Sequence, residues 1–186
     1  MTIYAALLRE IHVGGKNKMK MADLRDLCNE IGFTHVQTYM QSGNLIFLSD
    51  LDKDNVRQLL ENAIQQKFQL KLVVILRTYE ELEQIIEQCP FSSEEIEASM
   101  WDSTPESLYI ALLLQSPLPE RVNQLSISYE DRTDRYVVLQ DTVYLLFKDS
   151  ELANRLAKLA ALSTMRNWKT MTKLVEMARE TKESFK

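Results

Sequence analysis

Three short polar clusters hold the residue types that can do chemistry. The first is Arg9, followed by Gly14-Gly15 and by Lys16, Lys18 and Lys20. Glycine lets backbone N–H groups approach an anion, lysine supplies charge, and a helix opening after the loop adds its dipole. The spacing matches neither the Walker loop nor the dinucleotide G-x-G-x-x-G pattern. A surface loop with solubilising lysines accounts for the same residues. The second cluster is Gln41-Ser42-Gly43-Asn44. Ser42 lacks the G-x-S-x-G setting of a nucleophile, and turn chemistry alone explains Gly43 and Asn44. The third is Arg166-Asn167-Trp168-Lys169-Thr170 with Lys173. Asn167 suits a helix N-cap, and Lys169 and Lys173 fall within about 40° of each other on a helix.

Other reactive groups are sparse. His12 and His35 are the only histidines, and neither has a His, Cys or paired carboxylate at ligand spacing, so no metal is expected. Cys28 and Cys89 stand outside any Cys-x-x-Cys spacing, which excludes a disulfide framework or a zinc site. No general base has an obvious partner, so no reaction class follows, and no cofactor is expected.

The elements that must position these clusters are read from hydrophobic periodicity. Ile3 to Leu8 is a continuous apolar run, a strand buried on both faces. Met21, Leu24, Leu27, Cys28 and Ile31 recur at helical spacing, with Gly32 as the stop. His35–Tyr39 and Asn44–Leu48 flank the Gln41–Asn44 tip as a hairpin. A helix carrying Val56, Leu60, Ala63 and Ile64 is capped by Asp52 or Asp54, and Leu70–Leu76 reads as a strand. The order β-α-β-β-α-β predicts a ferredoxin-like first half with an antiparallel sheet, over residues 1–77.

Residues 78–106 form an acidic helical connector with capping boxes at Thr78-x-x-Glu81 and Ser92-x-x-Glu95. Residues 107–186 read as a second, partly similar half of order β-α-β-β-α-α. It contains strands at Leu108–Leu114, Tyr136–Leu139 and Thr142–Phe147, and helices over Leu118–Leu125, over Leu152–Ala160 and after Trp168. The fold class is therefore α+β. Without a residue-level repeat, duplication is suggested by topology alone.

The chain has 186 residues, 45% of them hydrophobic and 26% charged, with 4 Gly and 4 Pro. These proportions exclude disorder and collagen-like structure. The net charge of −5 is uneven. Between Glu80 and Glu106 there are nine acids and no base, whereas Arg155–Lys186 holds eight bases against three acids. Global acidity disfavours non-specific nucleic-acid binding, while a local cationic site stays compatible with it. No apolar run approaches the roughly 20 residues of a membrane span, and no basic segment precedes Ile3. A soluble cytoplasmic protein with no membrane partner is expected. Nothing bears on oligomeric state.

Leu7-Leu8-Arg9-Glu10-Ile11-His12-Val13-Gly14-Gly15, Met21, Gln41-Ser42-Gly43-Asn44 with Phe47, and Arg166-Asn167-Trp168-Lys169-Thr170 with Lys173-Leu174 resemble the signature blocks of the bacterial domain-of-unknown-function 1697 family. The resemblance spans essentially the whole chain. It implies an α+β fold with ferredoxin-like elements in a small cytosolic bacterial protein, and supplies no activity, cofactor or catalytic residue. Glu10 and His12 stand where the family pattern has Gly and Asn, and Glu10 sets a negative charge beside the glycine loop.

All three blocks place Arg, Lys, Asn or Ser at the ends of elements. Arg9, Lys16, Ser42, Asn44, Arg166, Asn167 and Lys173 are therefore expected to converge into one polar cleft. Such a cleft would bind an anionic small molecule, a nucleotide or phosphorylated metabolite, with Arg giving bidentate recognition. Single-stranded nucleic-acid binding is the disfavoured alternative, because Tyr39 and Phe47 do not form an RNP pattern. An enzyme of unnamed reaction class is the third reading.

Overall fold

The structure, a computed structural model, describes residues 1–9, 19–100, 108–117, 120, 135–146 and 163–184, with the side chains of 98–100 excepted. The chain divides into two compact units, Met1–Gln84 with Thr172–Lys186, and Ile85–Met171.

In the first unit, β1 (Thr2–Leu8), β2 (Thr34–Tyr39), β3 (Asn44–Ser49) and β4 (Val74–Thr78) form a sheet of order β2-β3-β1-β4. Every pairing is antiparallel. Helix α1 (Met21–Glu30) joins β1 to β2, and α2 (Lys53–Phe68) joins β3 to β4. This is the expected β-α-β-β-α-β order. The central place of β1 explains its unbroken apolar run, since Ala5, Ala6, Leu7 and Leu8 are buried whichever way they point.

One face of the sheet carries Tyr4, Ala6, Leu8, Leu45, Phe47, Val74 and Leu76 into a core with Leu24, Leu27 and Cys28 of α1 and Val56, Leu60 and Ile64 of α2. Phe33 stacks on Phe47 with ring centroids 4.4 Å apart. Each Val, Leu, Ile or Phe among them contributes about 1.5–3 kcal/mol by leaving water. Asp52 caps α2, its carboxylate accepting from the Asn55 N–H at 3.0 Å, and Gly32 turns the chain after α1 with φ +94°. β4 begins at Val74 rather than Leu70. Gln69 ends α2 in the left-handed region, and only from Val74 does the backbone find a partner in β1.

Paired residues of neighbouring strands lie on one face. The register therefore sets Gln37, Ile46, Ala5 and Arg77 in one row of the second face, and Tyr39, Asn44, Leu7 and Ile75 in the next. Helix α5 (Trp168–Glu183) belongs to this unit from Thr172 onward. It is tied to the second face by Gln37, whose amide donates to the Thr181 hydroxyl at 3.0 Å. At its C-terminal end Lys182 lies 4.3 Å from the centre of the Tyr79 ring and 3.5 Å from Glu80.

Helices α3 (Tyr79–Glu87) and α4 (Ser93–Met100) begin with the expected capping boxes. Thr78 N–H donates to Glu81 and the Glu81 N–H to the Thr78 hydroxyl. Ser92 and Glu95 make the same exchange.

The second unit has a sheet of order β6-β7-β5-β8, from β5 (Leu108–Leu113), β6 (Arg135–Leu139), β7 (Thr142–Leu146) and β8 (Ser163–Asn167), again all antiparallel. β8 corrects the β-α-β-β-α-α reading, because a strand precedes the last helix. Ser163-Thr164-Met165-Arg166-Asn167 is an edge strand held by backbone pairing to β5, and it lacks the apolar alternation by which strands are recognised. The helices expected over Leu118–Leu125 and Leu152–Ala160 lie outside the described residues, Glu120 apart. Tyr144, buried in this sheet, donates its hydroxyl to the Ile85 carbonyl at 2.7 Å.

Three strands of each sheet, β3-β1-β4 and β7-β5-β8, match in register. Leu8 N–H bonds Gly43 O at 2.8 Å, and Leu113 N–H bonds Asp141 O at 2.8 Å. From that anchor Leu7↔Asn44 corresponds to Leu112↔Thr142, Tyr4↔Thr78 to Tyr109↔Asn167, and Ala5↔Arg77 to Ile110↔Arg166. Arg77-Thr78-Tyr79 thus corresponds to Arg166-Asn167-Trp168, a residue-level repeat that composition and spacing conceal.

Candidate functional site

The end of β1 and the β2–β3 turn meet at one edge of the first sheet. Leu7 pairs with Asn44, Leu8 N–H bonds the Gly43 carbonyl, and Arg9 N–H continues the ladder to Val73 O at 3.1 Å. Arg9 lies two residues beyond Leu7, past the end of β1 and of the Tyr39–Asn44–Leu7 row. Arg9 and the second sequence cluster are therefore neighbours in space.

The turn itself is built by Asn44. Fully buried, it donates its amide to the Tyr39 carbonyl at 3.1 Å and to the Ser42 hydroxyl at 2.9 Å. Met40 and Gly43 take left-handed φ of 56° and 69° to close it. Asn44 thus orients the Ser42 oxygen, while Ser42 itself is exposed. Lys173 approaches the same edge from α5. Its ammonium bonds Glu176 at 2.8 Å, which raises its pKa above the usual lysine value, with Glu180 and Tyr39 adding to the shift through their charge. Tyr39, half-buried in the Asn44 row, was not singled out by any motif; strand alternation around the turn is the signal that would have found it.

Lys16 lies outside the described residues. Arg166 and Asn167 belong to the second unit. The Arg166 guanidinium donates to the Thr164 hydroxyl at 2.7 Å and to the Met165 carbonyl at 2.8 Å, and burial draws its pKa down to about 10. Asn167 caps α5, accepting from the Thr170 N–H at 2.8 Å. Their counterparts Arg77 and Thr78 sit in the first unit, where Arg77 is 4% exposed and donates to the Leu76 carbonyl at 2.9 Å. The paired Arg-cap-aromatic triplets are the sequence signal for Arg77.

In the first unit Arg9 follows the strand that pairs beside the turn, Lys173 lies on α5, and Asn44 orients the Ser42 hydroxyl. Groups of this kind hold phosphate or carboxylate. Among the described residues no cluster of His, Cys, Asp or Glu is arranged to hold a metal ion. A cavity of about 260 Å³ opens at the opposite end of the same sheet face, lined by Met1, Thr2, Ile3, Leu48, Glu80 and Lys182. None of the predicted residues that are described lines it. No helix among the described residues is long and apolar enough to cross a membrane.

A family model described as "Protein of unknown function (DUF1697)" matches residues 1–144, a stretch that contains Arg9, the β2–β3 turn and both central strands. The chain belongs to the DUF1697 family. Its third cluster lies beyond the matched stretch. A solved structure described as that of conserved bacterial protein SP0830 from Streptococcus pneumoniae is similar over 95% of this chain and 98% of that one, with 25% sequence identity and a TM-score of 0.69. The likeness thus extends beyond the stretch matched by the family model. No curated protein matches it.

Proposed function

We propose that this DUF1697 protein binds an anionic small molecule, a nucleotide or phosphorylated metabolite, at the turn edge of its first unit. Arg9 and Lys173 supply the charge, and Ser42 is a hydrogen-bonding partner oriented by Asn44. Arg166 and Asn167 act in the second unit, Asn167 through the N-terminus of α5. The observation that carries this reading is the register Leu7↔Asn44 with the Leu8–Gly43 bond, because it sets Arg9 beside the Gln41–Asn44 turn. The near-absence of apolar residues among them supports binding of charge over packing.

A thermal-shift screen against nucleotides and sugar phosphates tests it. A ligand at about 100 times its Kd stabilises by about 2.7 kcal/mol, a shift of several degrees. Arg9→Ala should abolish the shift with little change in the unliganded melting temperature. An Arg166→Ala variant then tells whether the second unit takes part. A shift that survives Arg9→Ala and Lys173→Ala contradicts the reading.

A further inference from the structure

We infer that the cavity on the second face of the first sheet binds a small zwitterion, an α-amino acid with an apolar side chain; the cavity shares no residue with the turn edge. Ile3 and Leu48 pair directly, two residues from Ala5 and Ile46 along their strands, and so lie on the face that α5 covers. The cavity, about 260 Å³, is lined by these two with Met1 and Thr2, by Glu80 in the first turn of α3 and by Lys182 in the last turn of α5. The internal repeat shows what a closed version looks like. Leu108 and Leu146 hold the matching positions on β5 and β7 and are 1% and 8% exposed. The second sheet seals this apolar pair, whereas the first leaves Ile3 accessible.

The charges beside the cavity decide the class of ligand. Lys182 Nζ lies 4.3 Å from the centre of the buried Tyr79 ring, which holds the ammonium in place, and 3.5 Å from the Glu80 carboxylate. The two side chains are 45% and 63% exposed, so their mutual attraction is weak and open to competition. A singly charged ligand meets one attractive and one repulsive group there. An α-amino acid carries an ammonium and a carboxylate on one carbon, and offers each to its opposite while its side chain covers Ile3 and Leu48. The volume falls below the roughly 300–1,000 Å³ of drug-sized sites, which suits one amino acid better than a nucleotide.

The test follows the methyl resonances of Ile3 and Leu48 in the full chain during titration with L-leucine, glycine, 4-methylpentanoate and 3-methylbutylamine. The last two are leucine without its ammonium and leucine without its carboxylate. Leucine should move both methyl signals and bind most tightly of the four, by about tenfold for each missing charge. Glu80→Gln and Lys182→Gln change exposed side chains, so both variants should melt close to the wild type, and each should weaken leucine about tenfold. Three results would each overturn the inference: methyl signals that leucine does not move, glycine or a singly charged analogue binding as tightly as leucine, or leucine affinity untouched in both variants. Each of these leaves the turn edge unaffected.

Discussion

Arg77 and Arg166 occupy one register position in two different sheets. Arg77 faces Ala5 on β1, Arg166 faces Ile110 on β5, and each directly precedes the residue that caps a helix. An edge strand that ends in arginine, a cap and an aromatic residue is thus used twice, and each arginine donates to the carbonyl of the residue before it. The equivalence is not complete, since Arg77 is sealed from solvent and Arg166 is half-buried.

That difference predicts unequal costs. Arg77→Ala leaves a cavity and unpaired acceptors on a buried face and should destabilise by about 2–4 kcal/mol. Arg166→Ala, where water can replace the lost bonds, should cost about 1 kcal/mol. Urea unfolding of the two variants checks the order; equal midpoints would contradict it.

The two caps should behave alike. Thr78→Ala and Asn167→Ala each remove a side-chain acceptor from a helix N-terminus and should each cost about 1 kcal/mol, while Asn167→Asp should retain stability because aspartate caps as well as asparagine. Circular-dichroism melts of the three variants decide the matter.

Much of this was legible beforehand, for physical reasons. The Ile3–Leu8 run announces a central strand because both of its faces are covered. Thr78-x-x-Glu81 and Ser92-x-x-Glu95 announce helix starts because the boxes satisfy backbone donors that otherwise lack partners. β8 was hidden because an edge strand can be held by its backbone alone, with Thr164 as its one buried side chain. The repeat was hidden because matching positions differ in type, Asn44 against Thr142 and Thr78 against Asn167, and only pairing aligns them. The closeness of Arg9 to Ser42 depends on sheet order, which spacing does not encode. Asn44 was named as a ligand group, and its buried amide is engaged in holding the turn.

Acid should weaken the first unit through Glu81. Burial pushes its carboxyl up, but the Lys53 ammonium at 2.7 Å, the Thr78 N–H and the Arg77 charge outweigh burial and hold it below the usual glutamate value. A carboxyl with a depressed folded pKa stabilises above its unfolded pKa of about 4.3 and loses that contribution as pH falls through the folded value. Glu81→Gln should therefore flatten the dependence of stability on pH below about 4.3 and reduce stability at neutral pH, modestly because the ion pair is partly exposed. Parallel pH profiles for wild type and variant would contradict this.

The two thiols should differ in reactivity. Cys28 is fully buried in the α1 core, and burial pushes its thiol up to about 12. Cys89 is only half-buried, also raised by burial, with its Sγ 3.8 Å from the Phe91 carbonyl. A thiol reagent at neutral pH should label Cys89 first and reach Cys28 only on unfolding. Simultaneous labelling of both in the folded protein would count against the packing of α1.

Amide chemical shifts followed during titration with AMP locate binding most directly. The largest changes should fall on Leu8, Arg9 and residues 41–44, with Lys173 next, and Arg9→Ala should erase them. Shifts confined to other parts of the sheet, or none at saturating nucleotide and sugar phosphate alike, would show that the turn edge of the first unit is not where an anion binds.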